Sequence, residues 1–138
     1  MKTLIIIYVL SLFIACNSDK GTAKNQTIST NPELLKLNEA ISSNPNDASL
    51  FLERAKLSIT LGATESAIND ISQSIDLDST LTDAYFLRAK LQYESKNYRG
   101  ALKDLRFCFN ENKEDPTLNK MMAQICIYLG KYEEAVNF

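Results

Sequence analysis

The tetrapeptide Arg-Ala-Lys-Leu stands at Arg54–Leu57 and again at Arg88–Leu91, 34 residues later. The same step carries Ala55 onto Ala89 and Ala123, and Ala67 onto Ala101 and Ala135. Gly62 meets Lys96 and Gly130, Tyr98 meets Tyr132, and Ile68 meets Leu102 and Val136. A fixed period of this length means a stack of like supersecondary units, each burying its apolar face only against its neighbours. The columns headed by Ala55 and Ala67 are separated by the turn-like stretches "TLGAT", "ESKNY" and "YLGKY". Small side chains at both columns let two helices approach closely, where larger ones would force their axes apart. Each unit is therefore predicted to be a helix, a tight turn and an antiparallel helix. The fold class is all-α.

A 34-residue helical pair with these columns resembles the tetratricopeptide repeat. The resemblance covers Ala48–Leu81, Thr82–Asp115 and Pro116–Phe138. It extends backwards into "NPELLKLNEAISSNP", which is similar to a preceding second helix, with Ala40 and Pro45 in the family's register. Asn31 as cap and Pro32 as first helical residue start that helix, and Asp115-Pro116 repeats the device. The resemblance implies an α-α superhelix, a right-handed solenoid of antiparallel helix pairs, over residues 31–138. Its parts are a half unit at 31–47 and units at 48–81, 82–115 and 116–138. Ser58 and Gln92 depart from the family where an aromatic is common, and Ser79 and Lys113 stand where Pro is usual. The third unit reaches Phe138 with its second helix half built, so the expectation is a continuing chain or a partner covering that end.

Arg54 and Arg88 occupy equivalent places in first helices, and Asp70 and Asp104 equivalent places in second helices. In an antiparallel pair closest at residues 55 and 67, residues 54 and 70 face each other. The third unit has Met122 and Phe138 at these places, so both partners change from charged to apolar together. Arg54–Asp70 and Arg88–Asp104 are thus expected to be structural pairs that brace each hairpin. The aliphatic stem of each Arg would pack where Met122 packs.

The resemblance implies a binding groove lined by the stacked first helices. Family register assigns to it Leu52, Lys56, Phe86, Lys90, Tyr93, Lys120 and Gln124, together with Ile59 and Ile127. Lys56 and Lys90 fall in one column, and ammonium groups beside Phe86 and Tyr93 suit an acidic, partly apolar peptide. The carboxylate clamp of chaperone-binding members has Asn where these lysines stand, so that pattern is not matched. Cys108 and Cys126 fall at core positions and are expected to be buried thiols, with a bridge between them left open.

Lys2 is followed by the apolar or small run "TLIIIYVLSLFIA" and then Cys16. The run is short of the roughly 20 residues that span a bilayer. It has the charged start and apolar middle of a secretory signal peptide. Phe13-Ile14-Ala15-Cys16 resembles the lipobox of bacterial lipoproteins, which implies a signal peptide at 1–15, a lipidated Cys16 and an outer-membrane destination. Acyl chains contribute about 0.8 kcal/mol per buried methylene, and more than one chain makes the anchor stable. Residues 16–30 are polar, lack helical periodicity and read as a flexible tether.

Charge and composition narrow the function. Acidic and basic residues are nearly balanced at 17 against 15, which gives no basic footprint for nucleic acid. The chain has no His, which removes the common acid/base and nucleophile systems and the usual zinc constellations. Neither metal nor cofactor is expected, and the chain is not expected to be an enzyme. The reading is a membrane-anchored interaction scaffold of the bacterial envelope, binding a protein or peptide in its groove. Pilus pilotins and barrel-assembly lipoproteins combine an anchor with such repeats in this way. Glycan or nutrient capture is the alternative; its known repeat-bearing lipoproteins use aromatic platforms, and this chain has no Trp.

Overall fold

The computed structural model describes residues 31–138, and within them every regular element is a helix. These are α1 (Pro32–Ser43), α2 (Ala48–Thr60), α3 (Thr64–Leu77), α4 (Thr82–Glu94), α5 (Tyr98–Glu111), α6 (Pro116–Tyr128) and α7 (Tyr132–Ala135). Helices α2, α4 and α6 are the first helices of successive units, and α1, α3, α5 and α7 are second helices. The expected signal peptide, Cys16 and the tether lie outside the described residues.

Local chemistry starts the helices. Asn31 Oδ1 accepts from the backbone N–H groups of Glu33 and Leu34, both at 3.0 Å, ahead of Pro32 in the first turn. Asp115 accepts from Thr117 N–H at 2.8 Å and Leu118 N–H at 3.3 Å, again ahead of a Pro. Such caps satisfy donors that a helix leaves orphaned, each contributing about 1 kcal/mol. Asp47 caps α2 through Ser49 N–H at 2.9 Å, and the hydrogen bonds from Ser49 hold its carboxyl below the ordinary value.

The turn from first to second helix is the same each time. Gly62, Lys96 and Gly130 have φ of 72°, 63° and 71°. Ala63 N–H reaches Ser58 O at 2.8 Å, Asn97 N–H reaches Gln92 O at 2.7 Å, and Lys131 N–H reaches Cys126 O at 2.8 Å. This is the Schellman closure, which needs one left-handed residue just past the helix end. The 34-residue column that reads Gly, Lys, Gly in the sequence is that residue.

Packing follows one rule. Helices α2 and α4 each lie in a bed made by their own second helix and the next first helix. Helix α2 rests on Ala67, Ile71 and Ser74 of α3 and on Ala84, Leu87 and Leu91 of α4. Ser74 Oγ donates to Ala48 O at 2.8 Å and ties the two helices across that bed. Helix α4 rests in turn on Ala101, Leu105 and Cys108 of α5 and on Leu118, Met121 and Ile125 of α6. Ala55, Ala67, Ala89 and Ala101 are fully buried, so the small columns are the close contacts between helix axes. Helix α7 is a single turn. Beyond it, Phe138 meets Phe109 edge-on at 5.4 Å, and Val136 is exposed.

Candidate functional site

The arginine of each repeated tetrapeptide lies inside the stack. Arg54 Nε donates to Asp70 Oδ2 at 2.8 Å and Nη2 to Asp70 Oδ1 at 2.6 Å. Arg88 does the same to Asp104, at 2.7 and 2.9 Å. Two parallel charge-assisted bonds lock the guanidinium plane against the carboxylate. The hydrogen bonds that each Arg gives its Asp raise the guanidinium pKa above its ordinary value, against the effect of burial. The guanidiniums also sit over the Phe51 and Tyr85 rings, 5.6 Å from each centroid.

A third contact was not legible in the sequence. Arg54 Nη1 donates to Asn38 Oδ1 at 2.8 Å, and Arg88 Nη1 to Ser72 Oγ at 3.3 Å. Asn38 and Ser72 lie on the preceding second helix, one repeat apart. Each Arg therefore ties its own hairpin to the unit before it. In the third unit Met122 is buried in the core cluster and Phe138 packs against that cluster.

The residues assigned to the groove divide. Lys56, Lys90, Lys120 and Gln124 are exposed. Among the described residues, none of these three lysines has an ion-pair partner within 4.0 Å. Phe86 and Tyr93 are half-buried, each packed on the core cluster of the second and third units. Leu52 is the correction. Only 7% exposed, it belongs to the core with Ala55, Ala84 and Leu91 and presents no groove surface. Burying a leucine side chain contributes about 2 kcal/mol, so it turns inward beside Ala55 while the lysines at other places stay in water.

Tyr93 gathers two further tyrosines. Its ring lies 5.7 Å from Tyr98 and 6.3 Å from Tyr128, while Tyr98 and Tyr128 stack at 4.8 Å. Loss of water around Tyr93 and its neighbour Tyr128 push the Tyr93 phenol up. Tyr128 and Ile127 are exposed, so this edge of α4 and α6 offers apolar area beside Lys90, Lys120 and Gln124. Repeat spacing gives Ile127 but not the tyrosine cluster, because Tyr98 belongs to a second helix.

Two concavities were also missed. One, of ≈ 720 Å³, lies between α1 and α2. The other, of ≈ 640 Å³, has Arg99, Lys103, Arg106 and Lys131 around Leu102 and Leu129. Glu134 pairs with Arg106 and with Lys131, and these two cations hold its carboxyl below the ordinary value. Cys108 and Cys126 are free and buried. Among the described residues no group of three or more His, Cys, Asp or Glu is placed to hold a metal ion. None of the described helices is long and apolar enough to cross a membrane.

Comparison with known proteins agrees with this geometry. Residues 77–138 match the family described as anaphase-promoting complex, cyclosome, subunit 3. The chain is 38% identical over 72 residues to the Hsp70-Hsp90 organizing protein of Triticum aestivum, covering 51% of this chain and 12% of that protein. It is 33% identical over 95 residues to Hsp70-Hsp90 organizing protein 1 of Glycine max, covering 68% and 16%. The chain thus spans about an eighth of the length of the wheat protein. Among solved structures, MamA superposes with a TM-score of 0.70 at 17% identity, covering 87% of this chain and 70% of MamA. YrrB, described as a TPR protein with an unusual peptide-binding site, superposes at 0.64 with 21% identity, covering 72% and 51%. The fold is that of a tetratricopeptide-type solenoid of antiparallel helix pairs.

Proposed function

We propose that the chain is a non-catalytic scaffold that holds an acidic, partly apolar protein segment along the face of its first helices. The observation that carries this reading is the row of exposed lysines without ion-pair partners among the described residues, Lys56, Lys90 and Lys120, beside Phe86, Tyr93 and Tyr128. Ammonium groups along such a face give register and partner choice, while the aromatic edge supplies apolar area. The described peptide site of YrrB and the names of the plant relatives support protein binding in general. Hsp70 and Hsp90 are not carried over to this chain, because Lys56 and Lys90 stand where the chaperone clamp has Asn.

The reading includes an anchor. Phe13-Ile14-Ala15-Cys16 supports lipidation at Cys16, and Asn17 after it supports sorting to the outer membrane. The scaffold would then gather parts of an envelope assembly at that membrane. Two measurements test this function. Wild-type protein is expected to take label from radioactive palmitate, and Cys16→Ala to lose it; an unlabelled wild type ends the anchored reading. In pulldowns from detergent-solubilised envelopes, Lys56→Glu with Lys90→Glu is expected to lose the partner while keeping its melting temperature. An unchanged yield would leave these lysines as solvated surface only.

A further inference from the structure

The basic concavity beside α5 has a counterpart earlier in the stack, and the two differ in charge. Between α1 and α3 a smaller concavity of ≈ 320 Å³ includes Leu34, Asn38 and Ala63 in its lining. Two repeats on, these places are Leu102, Arg106 and Lys131 of the ≈ 640 Å³ concavity. Each is the gap between one second helix and the start of the next. In the first, Arg54 and Asp70 both line the gap and neutralise each other. At the second, Met122 and Phe138 stand at the places of that pair, and four cations surround the gap instead.

Stacking does not require those cations. The places of Arg99, Lys103, Arg106 and Lys131 hold Glu65, Asn69, Ser72 and Asn97 one repeat earlier. Two repeats earlier they hold Asn31, Leu35, Asn38 and Ala63, so neither preceding unit has a basic residue there. Arg99, Lys103 and Arg106, at i, i+4 and i+7, share one face of α5, and all three are exposed. The chain itself shows what such a cluster accepts. Glu134 takes a hydrogen bond from Arg106 on Oε1 and one from Lys131 on Oε2. Glu133 lines a neighbouring concavity beside Tyr132 and not this one. Among the described residues Arg99 and Lys103 have no ion-pair partner within 4.0 Å.

We propose that this concavity binds a carboxylate-bearing segment of a partner protein, with an acidic side chain against Arg99 and Lys103 and an aliphatic one over Leu102 and Leu129. Leu102 is buried and Leu129 half-buried, so an apolar floor lies under a basic rim. Arg99 can meet a carboxylate with two parallel bonds, and Lys103 adds a point charge one turn along. Residues 17–30 offer one acid, Asp19, against Lys20 and Lys24, so their charge does not match the rim. None of the residues around this concavity belongs to the lysine row, which lies on first helices. It is a second site, on the layer of second helices.

The probe is a labelled peptide Glu-Leu-Glu-Leu-Glu, with Gln-Leu-Gln-Leu-Gln as its control, titrated by fluorescence anisotropy. The receptor is the full chain carrying Lys56→Gln, Lys90→Gln and Lys120→Gln, so that the lysine row does not contribute and its failure or success is read separately. Adding Arg99→Gln and Lys103→Gln is expected to weaken binding of the acidic peptide about tenfold, each exposed pair accounting for up to about fivefold. Arg99→Lys with Lys103→Arg, which keeps both charges, is expected to retain the affinity. No binding of the acidic peptide overturns the proposal, and so does equal binding of the two peptides or an affinity that the two glutamines leave unchanged. Inorganic phosphate displacing the peptide at the peptide's own Kd would make this a phosphate site instead. Sedimentation with phosphatidylglycerol vesicles, or dimerisation of the wild type, lost in either case with Arg99→Gln and Lys103→Gln, would give the cluster to a lipid surface or a second copy and overturn it likewise.

Discussion

Asp104 is the most tightly held charge among the ion pairs of the stack, with a side chain 3% exposed against 19% for Arg88. Removing Arg88 alone strands that carboxylate, which is what makes broken buried pairs costly. Arg88→Met is expected to lower unfolding free energy by roughly 3 kcal/mol, read by urea denaturation. Adding Asp104→Leu should restore most of it, because the third unit already packs Met122 at the equivalent place. A double variant as unstable as the single one would show that the carboxylate is not the cause. Arg54→Met should cost less, since both Arg54 and Asp70 are more exposed than their counterparts. The thiols give a second test. Burial, with Asp104 nearby, raises the Cys108 pKa to about 11, and burial raises that of Cys126. In the unfolded chain these thiols ionise near 8.5. Below that pH both states keep the protons; above it the unfolded state releases them first. Stability is expected to fall as pH rises from about 8.5 towards 11. At pH 8 a thiol reagent should label neither Cys without denaturant, and prompt native labelling would contradict the burial.

At the scale of elements, the turns and ends decide what each helix contributes. Lys96 takes the left-handed conformation that Gly62 and Gly130 take in the neighbouring turns. A side chain there costs roughly 1–2 kcal/mol, partly offset by glycine's greater freedom when unfolded. Lys96→Gly is expected to stabilise by roughly 0.5–1 kcal/mol, measured as a higher denaturation midpoint. In Gly130→Ala the added Cβ would meet no atom within 4 Å, so a loss of about 1 kcal/mol would come from torsion alone. The sequence shows this column plainly because backbone strain depends on one residue. It shows Gln92 less well. Standing where the family commonly has an aromatic, Gln92 donates to Asp104 Oδ2 at 3.3 Å, while its Oε1 is buried without a partner among the described residues. That pairing crosses two helices and has no local signature.

Across the whole molecule, stability is graded along the stack. Helices α1 and α7 contain no buried residue, whereas α4, α5 and α6 share the largest core cluster. In a repeat stack each unit is held by its neighbours, so opening begins where a neighbour is missing. Hydrogen exchange is expected to be fastest in α1 and α7 and slowest across α4–α6. Uniform protection would mean that the ends are covered. The repeat period, helix starts, turn column and facing Arg and Asp were legible because each depends on a few residues at fixed spacing. The tertiary structure decided what depends on neighbours in space. It turned Leu52 into the core, carried the arginines to Asn38 and Ser72, and gathered Tyr93, Tyr98 and Tyr128. It also left a concavity between α1 and α2. A periodic sequence specifies the unit, but which face of each unit meets water is settled only when the units are stacked.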